Sequence, residues 1–199
     1  LIKFYLLKKL TLRGLLKTGM KKFFVSVVMF FLITFISGQE KEHTKLFWKE
    51  NQKLLWEDFK GNADQSVNNE AAQSFCGIQY ASCPFSGKKY TYKVSSFFVP
   101  DLSWGKVQTD DVLRHEQLHF DIAEVYARKL RKAFAERNVL PEKSRSQVYN
   151  PLFREYVKTQ DRYDKETHHG ILTEKNEQWE RKIKKELLAL DGYKEVFCY

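Results

Sequence analysis

The chain has 199 residues, 34 of them Lys or Arg and 25 Asp or Glu, giving a formal charge of +9. Seven of the basic residues and none of the acidic ones fall in the first 38 positions, so setting that segment aside leaves 27 basic against 25 acidic groups. A remainder of +2 excludes the broad basic surface that nucleic-acid binding uses, and the 161 residues from 39 onward are enough for one domain that buries a core without staples.

Met20-Lys21-Lys22, the apolar run Phe23 to Ile36 and then Ser37-Gly38 predict a secretory signal peptide over 20–38, cleaved just before Gln39. The run is short for a membrane span, so no stable membrane insertion is expected after cleavage, and the destination is periplasmic or extracellular. Residues 1–19 place a second basic, apolar segment without a Met ahead of a complete signal. They are expected to be an over-extended reading of the gene and not part of the mature fold. Residues 39–199 then form a single domain. Its three cysteines, Cys76, Cys83 and Cys198, lie where disulfides persist, and Cys76 with Cys83 is the expected pair if the chain bends between them.

Leu54 to Gly61 is a compact apolar patch, followed by a polar loop from Asn62 to Glu70. Ala71 to Cys83 and Lys89 to Val99 are rich in aromatic and β-branched residues around Pro84, Ser86 and Gly87, which predicts a β-hairpin. Pro100 to Gly105 turns the chain into a long helix. Thr109 is its N-cap, Asp110 and Asp111 are its first-turn acids, and no Gly or Pro interrupts it until about Asn138. Asn150-Pro151 predicts the start of a second helix running to about Lys165. After a break at Thr167 to Gly170, Trp179, Ile183, Leu187 and Leu190 mark a third. The expected fold is α+β, a small antiparallel sheet followed by a helical half.

The long helix carries His115-Glu116-Gln117-Leu118-His119, an H-E-x-x-H motif. Residues four apart on a helix share a face, so both imidazoles reach one tetrahedral Zn²⁺ while Glu116 sits beside them as general base. The metal makes its water acidic near neutral pH, and the carboxylate takes the proton as that water attacks a carbonyl. His115 and His119 fall in the apolar stripe of Val112, Ile122, Tyr126 and Leu130, so they are expected to face inward.

A catalytic zinc needs a third protein ligand. His43 lies in the polar segment after the cleavage point, which leaves His168 and His169, at a break where Gly170 lets a side chain point back. Asp164 and Glu166 are carboxylate alternatives, whereas Glu124 should point away from the metal. Asp121 and Asp164 are candidates for hydrogen-bonding a ligand imidazole, and Tyr163 for polarising a substrate carbonyl. Trp56, Trp104 and Trp179 are expected in the core or the cleft wall.

Leu55-Trp56-Glu57-Asp58-Phe59-Lys60-Gly61, Gly77-Ile78-Gln79-Tyr80, Ser103-Trp104, His115 through Glu124, and Tyr163-Asp164 with His169-Gly170 together resemble the DUF922 group of exported proteins, described as a bacterial domain of unknown function and taken as secreted zinc proteases on the strength of their H-E-x-x-H motif. The resemblance implies a zincin-like fold and a metalloprotease activity, and its His-Gly pair favours His169 over His168 as third ligand. The expectation is thus an exported, zinc-dependent hydrolase acting on peptide or protein substrates, a metalloendopeptidase. The alternatives are a binding or structural module in which zinc only holds helices together, and a non-peptide amidase with the same metal centre.

Overall fold

Alternating side chains over Tyr92–Phe98 make the strand on which the domain is built. Tyr92, Val94, Ser96 and Phe98 are buried on one face while Lys93 is exposed on the other, the period of two that a half-covered sheet requires. The computed structural model describes residues 43–63, 70–83, 92–137 and 142–196. The described residues belong to one compact unit, His43–Tyr199. Residues 1–19 and the signal peptide expected at 20–38 lie outside them.

Five strands are defined among the described residues: β1 (Leu46–Phe47), β2 (Ala72–Gln73), β3 (Cys76–Ser82), β4 (Tyr92–Phe98) and β5 (Trp104–Gly105). β1, β4 and β3 form an antiparallel sheet in that order, with Cys76 opposite Phe98 and Ser82 opposite Tyr92. β2 pairs with β5 in a separate antiparallel ribbon, Ala72 opposite Gly105. Three α-helices follow: α1 (Asp110–Ala135), α2 (Glu142–Thr167) and α3 (Thr173–Ala189). The fold is α+β, a small antiparallel sheet followed by helices. Among the described residues no helix is long and apolar enough to cross a membrane.

Helix α1 is the axis of the core. The Thr109 hydroxyl accepts from the Val112 amide at 3.4 Å, capping one of the free N–H groups at its start. Ile122, Val125 and Leu130 are almost wholly buried, each stabilising the fold by roughly 1.5–3 kcal/mol relative to exposure. The helix packs on β3 and β4 and is flanked by α2 and α3. Charge is buried with it: Glu124 accepts from Arg128 Nε at 3.0 Å, Arg131 Nη1 at 2.8 Å and Ser96 Oγ at 2.6 Å. Arg131 also donates to the carbonyls of Val94 and Tyr193, and Arg128 to that of Leu187.

Two expectations are corrected. α2 does not start at Asn150-Pro151; it begins at Glu142 and carries Pro151 inside it. The turn upstream is held by tertiary contacts, since Val148 is buried and Tyr149 packs on Tyr80 and Phe153 while donating to the Ile78 carbonyl. Cys76 and Cys83 do not pair with each other: Cys76 is a free thiol and Cys83 is disulfide-bonded. Register explains this, because Cys76 opens β3 and Cys83 follows its last residue, with every position from Cys76 to Ser82 paired in turn with β4 and no bend between. Cys198 lies outside the described residues.

Candidate metal centre

His115 and His119 are one helical turn apart on α1, and the turn brings their Nε2 atoms to 3.2 Å. Asp164 closes the group from α2. Its Oδ1 lies 3.2 Å from His115 Nε2 and 2.9 Å from His119 Nε2. The three ligand atoms all lie within 4.8 Å of one another. Two imidazole nitrogens and a carboxylate oxygen are a donor set that suits zinc, and converging them without a cation concentrates charge. Burial alone would lower the His119 pKa, but the hydrogen bond and charge of Asp164, with Glu116 and Gln160 adding to them, push it up to about 9. Burial would raise Asp164, but hydrogen bonds and charge from the two histidines hold it well below the usual carboxylate range.

The far side of each ring is also anchored. Gln160 donates its amide to the His119 carbonyl at 3.0 Å, which turns its Oε1 towards His119 Nδ1 at 2.7 Å. Asn176, on α3, donates to the Gly170 carbonyl at 2.7 Å and so turns its Oδ1 towards His115 Nδ1 at 3.2 Å. Each Nδ1 therefore carries a proton, which leaves each Nε2 as the ring atom that would bind a metal, the arrangement that outer partners impose on metal-binding histidines. Tyr163 stacks on the His115 ring with centroids 4.6 Å apart.

The link between α2 and α3 keeps Asn176 in place. His168, His169 and Gly170 have φ of 50°, 53° and 87°, a left-handed run, and a β-carbon at Gly170 would stand 3.0 Å from His115 Cγ. Glycine is required there both for backbone conformation and for space.

A cavity of about 290 Å³ opens over the cluster. His115, Glu116 and His119 form its floor; residues 70–74 make one wall and Phe153, Tyr156, Val157 and Gln160 the other. Glu116 is 3% exposed, and its Oε2 is buried with no hydrogen-bond partner. Leaving a carboxylate oxygen unpaired in a protein interior is costly, and this one lines the same cavity as the three convergent ligand atoms.

Of the residues singled out in the sequence, His115, Glu116 and His119 come together as the helical spacing requires. Asp164, expected to support an imidazole or to serve as an alternative ligand, is the third member of the cluster. His169, favoured there by the resemblance, lies at the cavity edge with half its side chain exposed and Nδ1 3.8 Å from Asp164 Oδ1. His168 is exposed in the same turn. Asp121 touches neither imidazole: it accepts from Trp48 Nε1 and Gln117 Nε2, both at 2.7 Å. Glu166 accepts from Trp179, away from the cluster. Tyr163 is fully buried and does not line the cavity; its hydroxyl donates to Asn176 at 2.9 Å, so it orients the supporting amide instead of facing a substrate carbonyl. Trp104 and Trp179 are core residues. Sequence reasoning missed Gln160 and Asn176. Gln160 had one signal, its place one turn before Asp164 on a helix.

A model of the family described as bacterial protein of unknown function (DUF922) matches residues 101–170, which contain α1, α2 and all three residues of the cluster. No curated protein and no solved structure matches the chain.

Proposed function

The segment 101–170 belongs to the DUF922 family, and from that premise we propose that this chain is an exported, zinc-dependent hydrolase of the zincin type, most simply a metalloendopeptidase. The observation that carries the reading is the unpaired Glu116 Oε2, buried beside two imidazoles and a carboxylate that converge. His115, His119 and Asp164 would hold the metal, with Gln160 and Asn176 fixing the two rings. Zinc, when bound there, supplies a Lewis acid that polarises a carbonyl and makes water acidic near neutral pH. Glu116 Oε2 takes a proton from the attacking water and returns it to the leaving nitrogen, a role that requires an acceptor not already occupied. The residues 72–74 that wall the cavity offer backbone groups along which an extended peptide lies as an added strand. Export rests on the signal-like segment 20–38.

A second reading has its own observation. His169, within 3.8 Å of Asp164, is near enough to act as a fourth ligand, and a closed four-ligand zinc would be structural, making the chain a binding module. The buried, unpaired Glu116 favours hydrolysis, because a closed site has no use for it. A non-peptide amidase would use the same centre and differ only in cleft fit.

Zinc stoichiometry of residues 39–199 is the first test. One zinc per chain is expected, lost in His119→Ala and Asp164→Ala and kept in His169→Ala. Glu116→Ala should keep the zinc and lose about 10²-fold or more in turnover of a denatured protein substrate. A chain that binds no zinc, or a Glu116→Ala variant with full turnover, overturns the reading.

A further inference from the structure

The described lining of the cavity contains three carboxylates, Glu70, Glu116 and Asp164, and no Lys or Arg. Two of the three are accounted for. Asp164 lies between the imidazoles and Glu116 stands over them, and a divalent cation at the cluster offsets these two negative charges. Glu70 remains. It is partly exposed at the start of the wall that leads into β2, and no described residue pairs with it in a hydrogen bond or an ion pair. A lone carboxylate on the wall of a cleft attracts cations and rejects anions, because low-dielectric walls concentrate its field on whatever enters.

We propose that Glu70 is a specificity-determining residue that selects peptides bearing an ammonium or guanidinium group at the position lying against it. This rests on the peptide-hydrolase reading and adds a substrate class to it. Neighbouring residues fit the assignment. The opposite wall, with Phe153 and Val157, accepts the apolar part of such a ligand but offers no charge, so among the described lining outside the histidine–carboxylate group Glu70 is the carboxylate that sets the sign of the preference. The cation has two possible sources, a lysine or arginine side chain within the peptide or a free amino terminus, and both present the same chemistry to Glu70.

The test is binding, so that it does not depend on turnover. Zinc-loaded Glu116→Gln chain is titrated with fluorescent octapeptides, acetylated and amidated, carrying Lys, norleucine or Glu at each position in turn, and with the norleucine peptide left with a free amino terminus. At one position Lys is expected to bind roughly tenfold tighter than norleucine, with Glu weaker than both. The advantage should vanish when Glu70→Gln is added and turn towards Glu when Glu70→Lys is added; because Glu70 has no described partner, Glu70→Gln removes its charge and no contact. A gain confined to the free amino terminus supports the proposal and identifies the terminus as the cation. Equal affinities, a Lys preference that survives Glu70→Gln, or no binding by any peptide overturns it. Hydrolysis of a denatured protein by the zinc-loaded wild-type chain is scored separately: turnover without a Glu70-dependent preference leaves the hydrolase standing and removes this inference, and a Glu70-dependent preference without turnover does the reverse.

Discussion

An acid oxygen that is buried and unbonded, as Glu116 Oε2 is, lowers stability by on the order of 1–3 kcal/mol, and the domain tolerates it at the floor of its cavity. Around it the metal-free centre is held together by charge, which gives a pH dependence with a defined sign. His119 has a folded pKa of about 9, above its ordinary 6.5, so the stability it contributes is complete below about 6.5 and is lost as pH rises through about 9. Asp164 is depressed, so its contribution is complete above its ordinary 3.8 and is lost only as pH falls well below that value. Chelator-treated protein should therefore melt at its highest temperature in mildly acidic buffer and at progressively lower temperature from pH 7 to 10. Thermal melts across that range check this; a flat or rising alkaline limb would show that the Asp164–His119 pair is not formed without metal.

At the scale of elements, the link between α2 and α3 positions the centre. Gly170→Ala puts a methyl group against the His115 ring and a side chain at a φ of 87°. It should lower stability by about 1 kcal/mol or more and weaken zinc binding, read by melting temperature and by zinc titration; unchanged values in both would refute the positioning role. The same link explains what the sequence did and did not reveal. The motif on α1 was legible because helical spacing is local, and four residues always make one turn. The place of Asp164 against the two imidazoles was not. α2 continues to Thr167, so Asp164 is still on the helix and meets both histidines of α1, whereas His168 and His169 fall in the left-handed run beyond the helix end, which leaves His169 half-exposed at the cavity edge. Asn150-Pro151 misled for a related reason: its capping signal is local, and the packing of Val148 and Tyr149 outweighs it.

For the molecule as a whole, the buried Glu124–Arg128–Arg131 group fastens β4, α1, the end of α3 and the Tyr193–Lys194 turn to one another. Removing one member leaves charge without its partner, and Arg131→Ala should cost about 3–5 kcal/mol, measured from the denaturant midpoint. A loss under about 1 kcal/mol would mean that the network is dispensable. Nothing local in the sequence announced it, since three charged residues on a helix ordinarily face solvent, and burial appears only once the sheet and α3 close over them. The α+β class, by contrast, was legible from the order of its strand-like and helix-like segments.

His115 meets Asp164 across 49 positions and Asn176 across 61, so neither α1 nor the sheet possesses a competent centre until both later helices have docked. A thread passing through an export channel has made none of these contacts. On the proposed function, an exported chain would stay inert towards its neighbours during transit, and its activity would wait on the docking of the two later helices.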